Sequence, residues 1–117
     1  MEATHHKKLA DGNCVPCSGK TPPLDEPGAA LLLKELPHGW QITGEGHLEK
    51  EFRFDDFKNA LCFVNCVGTV AESQHHHPDV YLKWGRVKVM LWTHKIHGLS
   101  ENDFILAAKI EKVRASY

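Results

Sequence analysis

The side chains best equipped for chemistry cluster in the second half of the chain. The stretch "AESQHHHPDVYLKWG", residues 71–85, sets His75, His76 and His77 directly before Pro78, and His94 closes the next apolar stretch. An imidazole, with a reference pKa of about 6.5, can donate or accept a proton near neutrality, and two of them flanking a bound molecule can do both. A metal asks for more. Its donors must converge on one point, whereas adjacent residues of an extended strand face opposite ways, so His76 and His77 make a poor shared chelate. No His-Glu-x-x-His pattern accompanies them. No serine or cysteine elbow lies in the cluster either, so a covalent nucleophile is not indicated. Proton transfer is the leading reading, and a solvated, histidine-rich corner is the plain alternative.

Whether these histidines can act together depends on the elements that carry them. Val80, Leu82 and Trp84 alternate with polar residues, as do Val87, Val89 and Leu91, and Gly85 sits between the two runs. This predicts a tight hairpin centred on Trp84 and Gly85, in which residue 76 lies opposite 93 or 94. His94 is thereby brought within about one strand spacing, roughly 5 Å, of the triplet. Ser100 with Asp103 forms a capping-box start for the helical "FILAAKIEKV", so Asp103 and the positive helix end approach the same place.

The rest of the chain supplies a scaffold. Pro27 in a first helical turn opens a helix over about 25–36, ended by Pro37. Trp40 and Ile42, the turn "GEG" at 44–46, and Leu48, Phe52 and Phe54 predict a first hairpin. Asp55 or Asp56 caps a helix running to about Ser73. On that helix Phe57, Ala60, Leu61, Val64, Gly68 and Ala71 form the expected core stripe. Phe63, Val67 and Val70 make a second apolar flank, read as a surface for oligomer contact or as a deeper core. The order α-β-β-α-β-β-α, without βαβ crossovers, predicts an α+β fold: a four-stranded antiparallel sheet with helices packed on one face. Residues 1–23, rich in Pro and Gly, read as a flexible or loosely docked leader, and residues 24–117 as a single domain.

Composition narrows the function classes. Lys and Arg number 14 against 15 Asp and Glu, with no long block of one sign, so binding to nucleic acid through bulk charge is not expected. No apolar run approaches the roughly 20 residues of a membrane span, and the polar beginning lacks a signal-peptide core. A cytoplasmic protein is the expectation, and disulfides are correspondingly not expected. Cys14-x-x-Cys17 in the leader and Cys62-x-x-x-Cys66 on a helix do not form a zinc pattern. His5, His6, His38 and His47 read as ordinary polar residues, and His97 as a residue near the rim of the cluster.

The frame Glu72-x3-His76-His77-Pro78-x5-Trp84-x9-His94-x8-Asp103 resembles the signature of the pterin-4a-carbinolamine dehydratases. The likeness runs from about Leu24 to Val113 and takes in "ELPHGW", "FxFxDF", "FVNxV" and "THKIHGLSENDFILAAKIEKV". Some members also carry a similar Cys-x-Pro-Cys leader. The resemblance implies a lyase, 4a-hydroxytetrahydrobiopterin dehydratase, that removes water from the pterin carbinolamine to leave the quinonoid dihydropterin, with no metal or organic cofactor. It implies His76, His77 and His94 as the essential histidines with Asp103 near them. His76 and His94 are assigned to proton transfer and His77 mainly to binding or orientation. Glu72 and Pro78 belong to the motif, and Trp84, Trp92 and Thr93 are candidates to hold the flat pterin ring. "KIHGL" replaces a more usual glycine-rich loop, so His97 could alter the pocket rim. A homodimer or homotetramer is the expectation for this chain, with no membrane or direct nucleic-acid partner. The alternatives implied are a dimerisation cofactor for a transcription factor, with a protein partner, or a role in maturing other pterin or molybdenum-cofactor enzymes.

Overall fold

Burial alternates along the strand Arg86–Leu91 as a one-sided sheet requires, and that alternation decides how the helices sit. A computed structural model of the chain describes residues 9–16 and 18–116. His5, His6 and Cys17 lie outside these. Helix α1 is Glu26–Leu33, β1 Gln41–Ile42, β2 Leu48–Arg53, α2 Phe57–Gln74, β3 Asp79–Lys83, β4 Arg86–Leu91, and α3 Glu101–Arg114, with a 3-10 turn at His94–Ile96 before α3. The sheet runs β1-β2-β4-β3 with every neighbouring pair antiparallel. The α+β class and the four-stranded antiparallel sheet are those read from the sequence.

Leu48, Phe52, Val87, Val89 and Leu91 fill the covered face of the sheet. Glu49, Glu51, Lys88 and Arg86 project from the other face, where Glu51 and Lys88 are directly paired across β2 and β4. Lys50 breaks the alternation, because its register with Val89 puts an ammonium on the covered side. It is satisfied there by the Glu111 carboxylate of α3 and by the His38 carbonyl at 2.8 Å, and the Trp40 indole N–H donates to the same Glu111 at 2.7 Å. A half-buried charge is tolerated when it is paired in this way. The first hairpin closes through Gly46, whose φ of +82° suits glycine.

Each helix begins where its capping residue stands. Asp25 accepts from the Gly28 N–H and Asp56 from the Asn59 N–H, both at 2.8 Å. The first helix is shorter than the expected 25–36. Its last turn tightens through N–H donation from Glu35 to Leu32 and from Leu36 to Leu33, which carries the chain to Pro37.

Helix α2 corrects the expected core stripe. Its buried side chains are Ala60, Phe63, Val67 and Ala71, while Phe57 and Leu61 are exposed. The spacing of three, four and four is a single helical face, centred on the bulky Phe63 rather than on Leu61. Phe63 packs its ring against Phe52 of β2 and against Phe54 just beyond its end, with centroids 4.9 and 5.2 Å away. The flank proposed for oligomer contact is therefore largely core, since neither Phe63 nor Val67 has accessible surface.

Helix α3 is buried at every position from Asn102 to Ala108. A helix apolar on all sides must be covered on all sides. The sheet and α2 cover part of it, and α1 and residues 9–16 cover the rest: Leu9 joins the core, and Lys109 donates to the Ala10 carbonyl at 2.8 Å. Residues 9–16 thus pack against the domain, through Leu9 in the core and through bonds to α3. No helix among the described residues is long and apolar enough to cross a membrane.

The corrected α2 face can be checked by chemical denaturation. Phe63→Ala is expected to cost about 3–5 kcal/mol, whereas Leu61→Ala should cost less than about 1 kcal/mol. The reverse order would mean that α2 packs through the other stripe.

Candidate active site

The second hairpin pairs Asp79 with Met90 and Lys83 with Arg86, which is the tight register expected about Trp84 and Gly85. Strand β3 starts only at Asp79, so the histidine triplet is not the end of a strand. It is the C-terminal cap of α2. His75 adopts a left-handed conformation, φ 53° and ψ 36°, and its N–H together with that of His76 returns to the last carbonyls of the helix. This closure usually falls to glycine, and here a histidine accepts the strain. The reversal sends the next two side chains in different directions. His76 turns inward, with 13% of its side chain exposed, and His77 outward, with 59%.

His76 turns towards Asp103, whose side chain is completely buried. Asp103 uses both oxygens. Oδ1 lies 2.7 Å from His76 Nε2, and Oδ2 accepts from the Thr93 hydroxyl and the Ser100 backbone N–H, each at 2.9 Å. The last of these is the carboxylate half of the capping box anticipated for α3. An ionised carboxylate only accepts, so the bond to His76 assigns the ring proton to Nε2 and leaves Nδ1 as the nitrogen open to other chemistry. An aspartate holding an imidazole in one tautomer and one orientation is the logic of a triad without its nucleophile.

His94 comes from the opposite side, at the start of the 3-10 turn. Its ring stacks on Trp92 with centroids 3.9 Å apart, and His47 stacks on Trp92 at 4.6 Å. Thr93 and Gly98 bridge the base of this turn, with the Thr93 N–H donating to Gly98 at 2.8 Å. His76, His77, His94, Trp92 and Thr93 all line one cleft of about 430 Å³, a size suited to a small molecule. The cleft joins the end of α2, the end of β4 and the start of α3. Among the described residues no three His, Cys, Asp or Glu side chains are grouped to hold a metal ion.

The remaining candidates stand further back. Asp103 is beneath the cleft, in contact with His76 rather than with the open space. Glu72 reaches across the helix end to His77, Oε2 to Nε2 2.6 Å, in an exposed pair that orients the outer histidine. Half-buried Pro78 joins the triplet to β3. Trp84 departs from expectation: it lies in the β3–β4 turn, 67% exposed, at the far end of β3 from the histidines. At about 3.3 Å per residue that places it some 16 Å along the strand from Asp79, away from the cleft walls. His97 caps the 3-10 turn in a left-handed conformation and is exposed, outside the cleft lining.

Sequence reasoning passed over one side of the cleft. Cys14, Val15 and Pro16 line it, held by Gln74 and Asn102. One signal was available for Asn102: it sits beside Asp103 on a helix whose apolar surroundings imply burial, and a buried amide must have partners. His47 was read as an ordinary surface residue, and its stacking on Trp92 could be seen only once the two strands were paired.

The chain is thus an α+β domain with an aspartate-held histidine at a cleft of small-molecule size. Residues 22–113 match the family described as Pterin 4 alpha carbinolamine dehydratase, and the chain belongs to that family. Proteins provisionally named pterin-4-alpha-carbinolamine dehydratase are similar over nearly their whole length. One from Alkaliphilus metalliredigens is 48% identical over 89% of this chain and 94% of its own. Another, from Rubrobacter xylanophilus, is 48% identical over 91% of this chain and 98% of its own. A crystal structure from Brucella melitensis, described as a transcriptional coactivator/pterin dehydratase, superposes with a TM-score of 0.74 at 33% identity, covering 78% of this chain and 97% of that one. A pterin dehydratase-like RuBisCO assembly factor of the alpha-carboxysome shares the fold, with a TM-score of 0.57 at 20% identity over 65% of this chain and 89% of that one.

Removing the buried carboxylate tests how far it organises the site. Asp103→Ala leaves the Thr93 hydroxyl, the Ser100 N–H and the His76 ring without their acceptor, and a loss of about 2–4 kcal/mol in denaturant unfolding is expected.

Proposed function

We propose that the chain is a cytoplasmic 4a-hydroxytetrahydrobiopterin dehydratase that supports tetrahydrobiopterin recycling by histidine acid–base catalysis. The observation that carries the reading is the pairing of His76 with buried Asp103 at a cleft that His94 also lines, in a chain of this family. The reaction breaks the C4a–O bond and forms a C4a=N5 double bond. The hydroxyl must receive a proton to leave as water, and N5 must lose one. Two imidazoles do both without a net change in the enzyme's protons after exchange with solvent.

In this assignment His76 presents Nδ1 as the base for N5–H, because Nε2 is committed to Asp103. The cation formed on taking up the proton lies against a carboxylate, which holds it in place. His94 donates to the departing hydroxyl. Its stack on Trp92 limits ring rotation while leaving its nitrogens at the cleft. His77, tied to Glu72 at the outer edge, binds or orients the pterin. Trp92 and Thr93 contribute the wall on the β4 side.

A second reading, a protein-binding role, draws support from the description of the Brucella structure as a transcriptional coactivator. The surface for it would be the exposed apolar side chains Phe57, Leu61, Val80, Tyr81 and Trp84 rather than the buried Phe63 and Val67. A homodimer or homotetramer would draw on the same side chains. A single monomeric species in sedimentation at high concentration would count against both.

The dehydratase reading is tested by following the breakdown of 4a-hydroxytetrahydropterin by ultraviolet absorbance, with and without a chelator. His76→Ala and His94→Ala are each expected to lower kcat/KM by about 10²–10⁴-fold. His77→Ala should act mainly through KM. A wild-type rate no faster than buffer would overturn the reading.

A further inference from the structure

Residues 13–16 precede the part of the chain that matches the family, yet three of them, Cys14, Val15 and Pro16, form one side of the cleft. They are fastened by two side-chain amides. Asn102 grips Val15 at both backbone groups: Oδ1 accepts from the Val15 N–H at 2.9 Å and Nδ2 donates to the Val15 carbonyl at 2.6 Å. Gln74 Oε1 accepts from the Cys14 N–H at 2.8 Å, and Gln74 Nε2 donates to Asn13 Oδ1 at 3.3 Å. The Cys14 thiol points at the Asn102 carbonyl, 3.5 Å away.

The positions of these two amides matter. Asn102 is the residue before Asp103, and Gln74 ends α2 immediately before His75 and His76. The same two helix ends that hold the His76–Asp103 pair therefore also hold this segment. Asn102 is buried, so its amide is a fixed support rather than a surface contact.

The consequence for the cleft is a wall with its polar backbone turned towards the protein and apolar groups left outward. Val15 is 64% exposed although its N–H and carbonyl are both held. A β-branched side chain on a fixed backbone loses little freedom on covering a ligand.

We propose that residues 13–16 are a fixed substrate-contacting wall, in which Val15 and Pro16 cover an apolar part of the bound pterin, and that Asn102 and Gln74 are positioning residues for it. The proposal rests on the pterin reading of the cleft. The wall acts on binding and on the choice among pterins, while proton transfer stays with His76 and His94.

The test uses the full chain and two readouts: Kd for 7,8-dihydrobiopterin, which lacks the 4a-hydroxyl and does not react, from quenching of tryptophan fluorescence, and KM and kcat for the carbinolamine. Val15→Ser alters an exposed side chain and leaves folding intact. It is expected to weaken Kd and raise KM about three- to tenfold, with kcat within about twofold. Asn102→Ala should do the same and speed hydrogen exchange at the Cys14 and Val15 amides, and the double variant should be no worse than Asn102→Ala alone. Wild-type dihydropterin affinity in Val15→Ser would overturn the wall, whatever Asn102→Ala does. Wild-type protein that binds dihydrobiopterin but does not dehydrate the carbinolamine would remove the dehydratase reading and leave the wall standing if Val15→Ser weakens Kd. Protein that binds no pterin would overturn both.

Discussion

A carboxylate with no access to solvent must have its acceptor sites met inside the protein, and Asp103 meets them by drawing three elements together. Ser100 belongs to the start of α3, Thr93 to the residues after β4, and His76 to the end of α2. None of these is close to another in sequence except Thr93 and Ser100, whose hydroxyls lie 2.8 Å apart. The chain ends of three elements thus share one buried anion. The position at the N-terminus of α3 is favourable for that anion, because the helix dipole and the free N–H groups both face it. What serves as a helix cap also sets the tautomer and direction of the histidine. Cap and site are one structure.

That economy depends on α3 being enclosed from Asn102 to Ala108. Over that stretch only Asn102 and Asp103 are polar, and both are turned to use. Asp103 addresses the site, and Asn102 addresses the segment at 13–16 that helps to enclose the helix. A segment with little apolar content of its own gains its place through backbone hydrogen bonds to side-chain amides and through Leu9 in the core. This is why residues 13–16 can be ordered without being a helix or a strand.

How much of this the sequence disclosed follows from the range of the interactions. The hairpin at Trp84 and Gly85 rests on local alternation and turn chemistry, and its register emerged as read. The capping box at Ser100 and Asp103 is likewise local. The face of α2 was misread because two apolar stripes compete at helical spacing there. Only aromatic residues at the end of β2, Phe52 and Phe54 against Phe63, decide between them. The docking of residues 9–16 was hidden for a stronger reason: Val15 and Asn102 are 87 residues apart, and their bond leaves no periodic mark. Trp84 was drawn into the candidate site by its place in a motif frame. Its own strand carries it to the opposite end of the hairpin.

Within the triplet, three identical side chains are sent to three different surroundings by the backbone. The left-handed turn at His75 ends α2 and uses that residue as a cap. Because the chain reverses there, His76 enters the protein to meet Asp103 and His77 leaves it to meet Glu72. The two carboxylates differ as much as the histidines do. Asp103 is buried and fixed by two further donors, so its hold on His76 is unscreened and directional, whereas the exposed Glu72–His77 pair is weakened by solvent and salt. Only His76 is therefore held by a partner that solvent and salt do not weaken. Preorganisation of that kind is what acid–base chemistry demands of a proton-transfer group, and it is what a binding residue at a cleft edge can do without. The difference in how firmly His76 and His77 are held follows from how deeply each partner carboxylate is buried.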